Sequence, residues 1–322
     1  MLIDLHTHSR VSDGTDSPAE LVAAAAPAGL DVVALTDHDT MAGVAEAQAT
    51  GRRVGVTVLC GIELTCQLGG VTVHLLGYGC RADDARLSSV LADLRDDRVR
   101  RVPKMVAGLN GAGVKVGVRD VEAAARPGAT LGRPHVADAL VASGIVADRQ
   151  EAFDKWLDVG RPGYVSHYKV PLVEGVAMVN GAGGVSVLAH PWGRESRRVL
   201  TPEVISGLAD GGLDGLEVDH QLHDAATRAE LRVLANECGL IPTGSSDYHG
   251  TGKVDHDLGC NLTSDASYEA IQSLITQRGG QAFACTPQRF LFEPLRQQAS
   301  IASAPRTSSH ALGSIACTPP GT

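Results

Sequence analysis

Two histidines near the start of the chain have the spacing of a metal site. Residues 4–13 read Asp-Leu-His-Thr-His-Ser-Arg-Val-Ser-Asp. If this segment is an extended strand, His6 and His8 face the same side, because side chains alternate along a strand. Two such imidazoles, followed by the Asp13 carboxylate, can bind one divalent ion. For this pair taken alone, the alternative is a surface histidine pair on an edge strand.

Further along the chain, short apolar runs also carry or end in imidazole and carboxylate groups. Glu63 stands in strand-like sequence, and glutamate is seldom buried unless it is paired or bound to metal. The other members of this set are His38, His74, His190, Asp247 and His249. Any single buried histidine could simply bond a backbone carbonyl. Together they favour one site, because an α/β barrel collects its chemistry at the carboxyl ends of its strands.

Strand and helix patterns alternate through the chain, as a barrel requires. Ser17-Pro-Ala-Glu20 is a capping box that opens the first helix, which should end near Gly29. The pattern predicts strands over 32–35, 56–59, 71–76, 185–188, 216–218 and 282–284. It predicts further helices over 42–49, 202–209, 223–238 and 267–277.

Residues 83–184 lack strand patterns and show helical spacing, so we predict a helical insertion, which would cap the substrate, within a barrel formed by 1–82 and 185–290. Arg133 and His135 stand at a helix start, which favours an anion, and His167 and Lys169 follow. The alternative is a solvated helix cap and a lone surface lysine. Residues 299–322 are predicted to be a disordered tail.

Composition excludes several classes of protein. Basic and acidic residues number 28 and 37, a net charge of −9, which argues against coating long nucleic acid. No stretch approaches the roughly 20 apolar residues of a membrane helix, and the first residues do not form a signal peptide. We therefore predict a cytoplasmic protein that does not bind membranes.

Taken together, these motifs resemble the polymerase and histidinol phosphatase (PHP) superfamily of metal-dependent phosphoesterases. The matching segments are Asp4-Leu-His-Thr-His8, Ser12-Asp-Gly14, Thr36-Asp-His-Asp39, Gly61-Ile-Glu63, His74, Ala189-His-Pro191 and Ser246-Asp-Tyr-His249. They occur in the expected order over nearly all of residues 1–290. The resemblance implies a distorted barrel of seven strand and helix units, a (β/α)7 TIM-like fold, with two or three divalent ions.

The resemblance also implies a set of ligands for each ion. One ion would be held by His6, His8, Glu63 and Asp247, a second by Glu63, His74 and His190, and a third by Asp13, His38 and His249. Glu63, Asp247 and His190 would then carry the catalytic role by holding the ions that activate water. Manganese is the first choice, and zinc or iron also suits this donor set.

The segment Gly132-Arg-Pro-His135 inside a helical insertion resembles the branch that removes phosphate from small nucleotides, such as 3',5'-bisphosphonucleosides and nucleoside monophosphates. Arg133, His135, Lys169 and Arg194 would bind the substrate phosphates. Cyclic phosphodiesters and the 5' ends of short RNA are the alternatives within the same enzyme class. A metal-stabilised module that binds nucleotides or a partner protein without catalysis is the alternative outside it.

For other polar residues near these motifs we predict structural roles rather than metal binding. Asp37, Asp39 and Asp219 could orient ligand histidines, cap a helix or fix a turn. For His220, His223 and His256 we predict solvent-facing positions.

Overall fold

The described residues form one curved sheet of eight strands, seven of which follow one another in an order that nearly closes into a barrel. The computed structural model describes residues 1–125, 131–166, 168–193 and 195–281. The strands are β1 (Ile3–Thr7), β2 (Val32–Leu35), β3 (Thr57–Leu68), β4 (Val71–Tyr78), β5 (Val170–Pro171), β6 (Val185–Leu188), β7 (Gly215–Asp219) and β8 (Ile241–Gly244). Their order is β1-β2-β3-β4-β6-β7-β8, with the two-residue β5 pairing with β3.

Helices follow most strands and cover the outside of the sheet. They are α1 (Pro18–Ala25), α2 (Val44–Val54), α3 (Ala85–Gly111), α4 (Val118–Ala124), α5 (Arg133–Ala142), α6 (Arg149–Ala152), α7 (Leu172–Gly181), α8 (Pro202–Asp210), α9 (Ala225–Glu237) and α10 (Asp265–Gln277). A π-helical turn over Phe153–Leu157 extends α6. The predicted alternation is therefore present, and the mixed α/β barrel is confirmed.

β4 runs in the opposite direction to its neighbours, whereas all strands of a regular α/β barrel are parallel. β1, β2 and β3 run parallel, as do β6, β7 and β8, but β4 is antiparallel to both β3 and β6. Glu63 and His74 lie within β3 and β4, as their apolar surroundings in the sequence indicated, rather than at the ends of these strands. The two residues reach the same site because Glu63 pairs with Leu76 and His74 pairs with Thr65 across this hairpin.

Local sequence accounts for several element boundaries. Ser17 and Glu20 form the predicted capping box, with Pro18 at the first helical position. β3 was predicted to end at Leu59, yet it continues to Leu68 through Gly61. A Cβ at Gly61 would lie 2.9 Å from the Leu35 carbonyl oxygen, so glycine lets β3 pass close to the end of β2 without breaking the strand.

The helical segment between β4 and β5 has an apolar cluster of its own. Met105, Leu109, Val136 and Leu140 pack there with other buried residues between Val102 and Leu157. α7, which follows β5, packs against β3, β4 and β6 instead. The division into a barrel and an insertion with the boundaries given above remains a prediction.

Some predictions fall outside the described residues, namely the strand over 282–284, the tail over 299–322, His167 and Arg194. Among the helices that the structure describes, none combines the length and apolarity needed to cross a membrane. The cytoplasmic location remains a prediction.

Candidate metal centre

Glu63 is the hub of a buried cluster of histidines. Its side chain is almost fully buried on β3, and its two oxygens face different neighbours. Oε1 lies 2.8 Å from His74 Nδ1 and 3.1 Å from His190 Nε2. Oε2 lies 3.1 Å from His8 Nε2, 3.1 Å from His38 Nδ1 and 3.4 Å from His6 Nε2. One carboxylate thus contacts histidines from four different parts of the chain.

Two further carboxylates join the same cluster. Asp13 Oδ1 lies 3.3 Å from His249 Nε2 and 3.6 Å from His8 Nδ1. Asp247 Oδ1 lies 3.4 Å from His8 Nε2 and 3.5 Å from His6 Nε2. The structure therefore brings together all nine residues predicted as ligands.

The donor atoms form overlapping groups, each compact enough for one ion. Three of these groups, with ligand atoms within 4.8 Å of one another, are His6–His8–Asp247, His8–Asp13–His38–His249 and His38–Glu63–His74. They resemble the three predicted sets, but His8 and His38 are each shared between groups, and His190 approaches Glu63 without belonging to one. Which residue binds which ion remains a prediction.

Two ring nitrogens give an independent test of whether metal ions fit. His38 Nδ1 and His74 Nδ1 are buried, yet within the described part of the chain neither has a hydrogen-bond partner, although Glu63 lies within 3.1 Å of both. Orphaned buried polar atoms are rare. A cation bound by these nitrogens and the carboxylate would satisfy them, so the residues fit the ions that the donor set suggests.

Charges inside the cluster set the protonation of its members. Burial alone would raise the pKa of Glu63, but His38, His74 and His6 hold that pKa well below its usual value. Burial lowers the pKa of His190 to about 4 despite the nearby Glu63 carboxylate. The His190 ring is therefore neutral, which is the form that a metal ligand requires.

His6 shows the opposite shift. Burial would lower the pKa of His6, yet the carboxylates Glu63, Asp247 and Glu217 together raise it well above the usual value. The electrostatic potential around His6 is therefore negative enough to stabilise the protonated imidazole. The same potential favours a metal cation bound to the neutral ring in place of the proton.

Glu217, in the middle of β7, orients two of the predicted ligands. Its Oε1 lies 3.1 Å from His6 Nδ1, and its Oε2 accepts the His190 backbone N–H at 2.7 Å. Ser245 also donates to this carboxylate. Sequence analysis missed Glu217 and considered Asp219 among the residues that could orient a ligand histidine, whereas Asp219 pairs with Arg232. A glutamate buried in apolar strand sequence, the pattern that identified Glu63, would have identified Glu217.

We expect Glu217→Gln to weaken metal binding by about 10–100-fold, because outer partners of ligand histidines have effects of that size. Asp219→Asn is the matched control, since its carboxylate lies two residues away on the same strand and bonds Arg232 at 2.5 Å. Calorimetric titration of the chelated proteins with Mn²⁺ measures both affinities. Equal affinities in the two variants would contradict the orienting role of Glu217.

Asp37 and Asp39 fix main-chain segments around the centre, which agrees with the turn-fixing role considered for them. Asp37 accepts from the Ser9 N–H at 2.8 Å and from the Ser12 hydroxyl at 2.7 Å, and burial raises its pKa to about 6. Asp39 accepts from the Thr65 N–H at 2.7 Å. These bonds hold the loops after β1 and β2 in place.

The prediction that His220 and His223 face solvent is wrong. Both side chains are buried, and His256 is half-buried. His220 Nε2 lies 3.3 Å from Asp247 Oδ2, and His223 Nδ1 bonds the Val218 carbonyl at 2.9 Å. His220 and His223 follow the carboxyl end of β7, and this position brings His220 against Asp247 of the cluster.

A basic cluster lies beside the metal centre. His135 and Lys169 are buried, and Arg133 begins α5. His135 Nδ1 accepts the Gly132 N–H at 3.1 Å, so in the neutral ring the hydrogen is on Nε2, which can donate to an anion. Burial and the charges of Arg133 and Arg101 lower the pKa of Lys169.

Sequence analysis missed two members of this basic cluster on α3. Arg101 is 4% exposed, and burial together with Arg98 and Arg133 lowers its pKa to about 10. Its Nε has no hydrogen-bond partner among the residues described. Arg98 bonds Asp39 Oδ2 at 2.9 Å and so connects the basic cluster to the loop after β2. Arg101 and Lys169 are the buried cations of this cluster, and a bound anion would offset the repulsion between them.

Comparison with known proteins gives consistent results. The PHP domain model matches residues 4–106. The 3',5'-nucleoside bisphosphate phosphatase of Chromobacterium violaceum is 36% identical over 257 residues, which are 80% of this chain and 90% of that protein. A 5'-3' exoribonuclease of Haemophilus influenzae is 30% identical over 246 residues, covering 76% and 89% of the two chains.

A solved structure agrees over the same region. A protein of Bifidobacterium adolescentis, described as a metal-dependent phosphoesterase, superposes with a TM-score of 0.81 and 38% sequence identity. The match covers 84% of this chain and 96% of that one.

Proposed function

The chain belongs to the PHP domain family of metal-dependent phosphoesterases, and from that premise we propose that it hydrolyses phosphate monoesters of small nucleotides, such as 3',5'-bisphosphonucleosides or nucleoside monophosphates. The observation that carries this proposal is the basic cluster of Arg98, Arg101, Arg133 and Lys169 beside the metal centre, in which Arg101 and Lys169 are buried. It supplies more positive charge than one transferred phosphate requires.

Two groups of residues would have separate tasks, one binding the metal ions and the other binding the substrate. Imidazoles and carboxylates around Glu63 would hold the ions, with Asp247, His6 and His8 on one side and His74 and His190 on another. When bound, divalent ions lower the pKa of a water molecule and neutralise charge on phosphoryl oxygens. We infer that manganese is the ion used, with zinc and iron as alternatives for the same donors.

The basic cluster would bind a second phosphate, the one that is not cleaved. Lys169 and Arg101 are buried cations, and the carboxylate nearest to Arg101, Asp97, lies 3.8 Å away. His135 would add a neutral N–H donor through Nε2. Arg149 pairs with Asp138 and donates to the Asp13 carbonyl oxygen at 3.4 Å, so it ties α5 to the ligand loop. Two anion sites in one pocket suit a substrate with two phosphates.

A phosphate-release panel tests this assignment. The purified protein with added Mn²⁺ is given 3',5'-bisphosphonucleosides, nucleoside monophosphates, 2',3'-cyclic nucleotides, short 5'-phosphorylated RNA and a plain sugar phosphate. We expect the highest kcat/KM for a bisphosphonucleoside, about tenfold or more above the sugar phosphate, since a charged hydrogen bond contributes about 1.5–3 kcal/mol.

Two outcomes would contradict the proposed substrate class. Preference for the sugar phosphate would reject the nucleotide proposal. A higher kcat/KM for cyclic nucleotides or RNA than for any monoester would keep the phosphoesterase but replace the monoester substrate with a diester.

A further inference from the structure

The two oxygens of Asp247 have different partners. Oδ1 faces His6 and His8, the pair with which it could hold an ion. Oδ2 faces the opposite way and is contacted by His220 and by the Lys253 ammonium, with Lys253 Nζ at 2.5 Å. The Asp247 carboxylate is 4% exposed and the Lys253 side chain 28% exposed, so this ion pair stands between the buried centre and solvent.

The position of Lys253 is imposed by the loop that carries it. Two residues before it, the Thr251 N–H donates to Thr15 Oγ1 at 2.9 Å. Three residues after it, His256 Nδ1 donates to the Ser246 carbonyl oxygen at 2.7 Å. Gly250 has a φ of 63° and Asp255 a φ of 60°, which turn the chain at each end of this segment. Lys253 is thus held over Asp247 by a loop fixed on both sides.

A further metal site at His220, Asp247 and His256 was the competing explanation, since their donor atoms lie close enough to hold an ion. The hydrogen bonds of His220 argue against it. The Leu222 N–H donates to His220 Nδ1 at 3.1 Å, so Nε2 carries the hydrogen in the neutral ring and donates to Asp247 Oδ2. A protonated Nε2 cannot bind a metal ion.

Charge explains what the lysine does there. Glu63, Asp247 and Glu217 are buried and Asp13 is partly buried, so the cluster holds four carboxylates, and uncompensated buried charge is costly. Lys253 supplies positive charge directly to one of them. An ammonium on Oδ2 and a divalent ion on Oδ1 would share the same carboxylate and repel each other.

We propose that Lys253 is the counter-cation of the metal-free centre: it neutralises Asp247 through Oδ2 and competes electrostatically with the ion that binds through Oδ1. Lys253 therefore raises the stability of the metal-free protein and lowers the affinity of the centre for its ion. This inference rests on the metal centre alone and is independent of the nucleotide assignment.

Substitution of Lys253 in the full-length protein tests the proposal by metal binding and unfolding, without any assay of activity. The chelated proteins are titrated with Co²⁺ by calorimetry, and thermal unfolding is followed with and without the ion. Lys253→Met is compared with Lys253→Arg, which keeps the charge, and with Lys104→Met, which removes an exposed lysine on α3. If Lys253→Met does not fold, Lys253→Gln takes its place.

We expect Lys253→Met to bind Co²⁺ about tenfold more tightly than the wild type, because a nearby positive charge is removed. Its chelated form should unfold at a lower temperature than the chelated wild type, whereas the Co²⁺-loaded forms should unfold alike. Lys253→Arg and Lys104→Met should match the wild type in both measurements. Unchanged or weaker Co²⁺ binding by Lys253→Met, or an equal loss of stability in both forms, would overturn the proposal.

Discussion

Glu63→Gln is expected to lower kcat/KM for phosphate release by about a thousandfold or more and to reduce the metal content of the purified protein. The substitution keeps the size of the side chain but removes the charge that faces His6, His8, His38, His74 and His190. Metal ions contribute several kcal/mol to hydrolysis, and about 1.4 kcal/mol corresponds to a factor of ten in rate. Steady-state kinetics and metal analysis by mass spectrometry measure the two effects.

Glu203→Gln is the control for this loss, because Glu203 is an exposed glutamate on α8. It should retain wild-type activity and metal content. If Glu63→Gln kept its full metal content together with wild-type turnover, the cluster around Glu63 would not be the catalytic centre.

Lys169→Met is expected to lower kcat/KM for a 3',5'-bisphosphonucleoside by about 10–100-fold more than for p-nitrophenyl phosphate. The lysine is buried beside Arg101 and Arg133, where the proposed second phosphate would bind. Loss of one charged hydrogen bond costs about 1.5–3 kcal/mol. p-Nitrophenyl phosphate has no second phosphate, so it makes no such bond with Lys169 and should not be affected by its loss. Kinetics with the two substrates give the ratio.

The control for this experiment is Lys104→Met, which removes an exposed lysine on α3. It should change neither kcat/KM. Equal losses on both substrates in Lys169→Met would place Lys169 at the transferred phosphate instead, and no loss on either would remove it from the binding site.

Much of the fold and of the metal centre could be predicted from residue types and their spacing in the sequence. The capping box at Ser17 and the apolar runs over Val32–Leu35 and Val185–Leu188 predict their elements almost residue for residue, because these signals are local. The nine predicted ligands meet because strands place their polar residues towards one end of a barrel. The direction of β4 could not be predicted, since an isolated strand pattern is the same in either direction.

The errors concern residues whose role depends on distant partners. Arg98 and Arg101 are spaced like solvated residues of a long helix, and only the packing of α3 against the site buries Arg101. His220 was predicted to face solvent because no motif in its local sequence anchors it, and it lies just after the end of β7 at Asp219. Its partner Asp247 comes from the segment after β8. Local sequence holds no information about such pairs.

The residues predicted to bind metal come from both ends of the described chain, which bears on biosynthesis. A ribosome delivers His6, His8 and Glu63 early, but Asp247 emerges only after β8. The growing chain therefore exposes isolated metal-binding groups before the centre can close around an ion. If the predicted residues bind the ions, a complete centre forms only after the segment that follows β8 has been made.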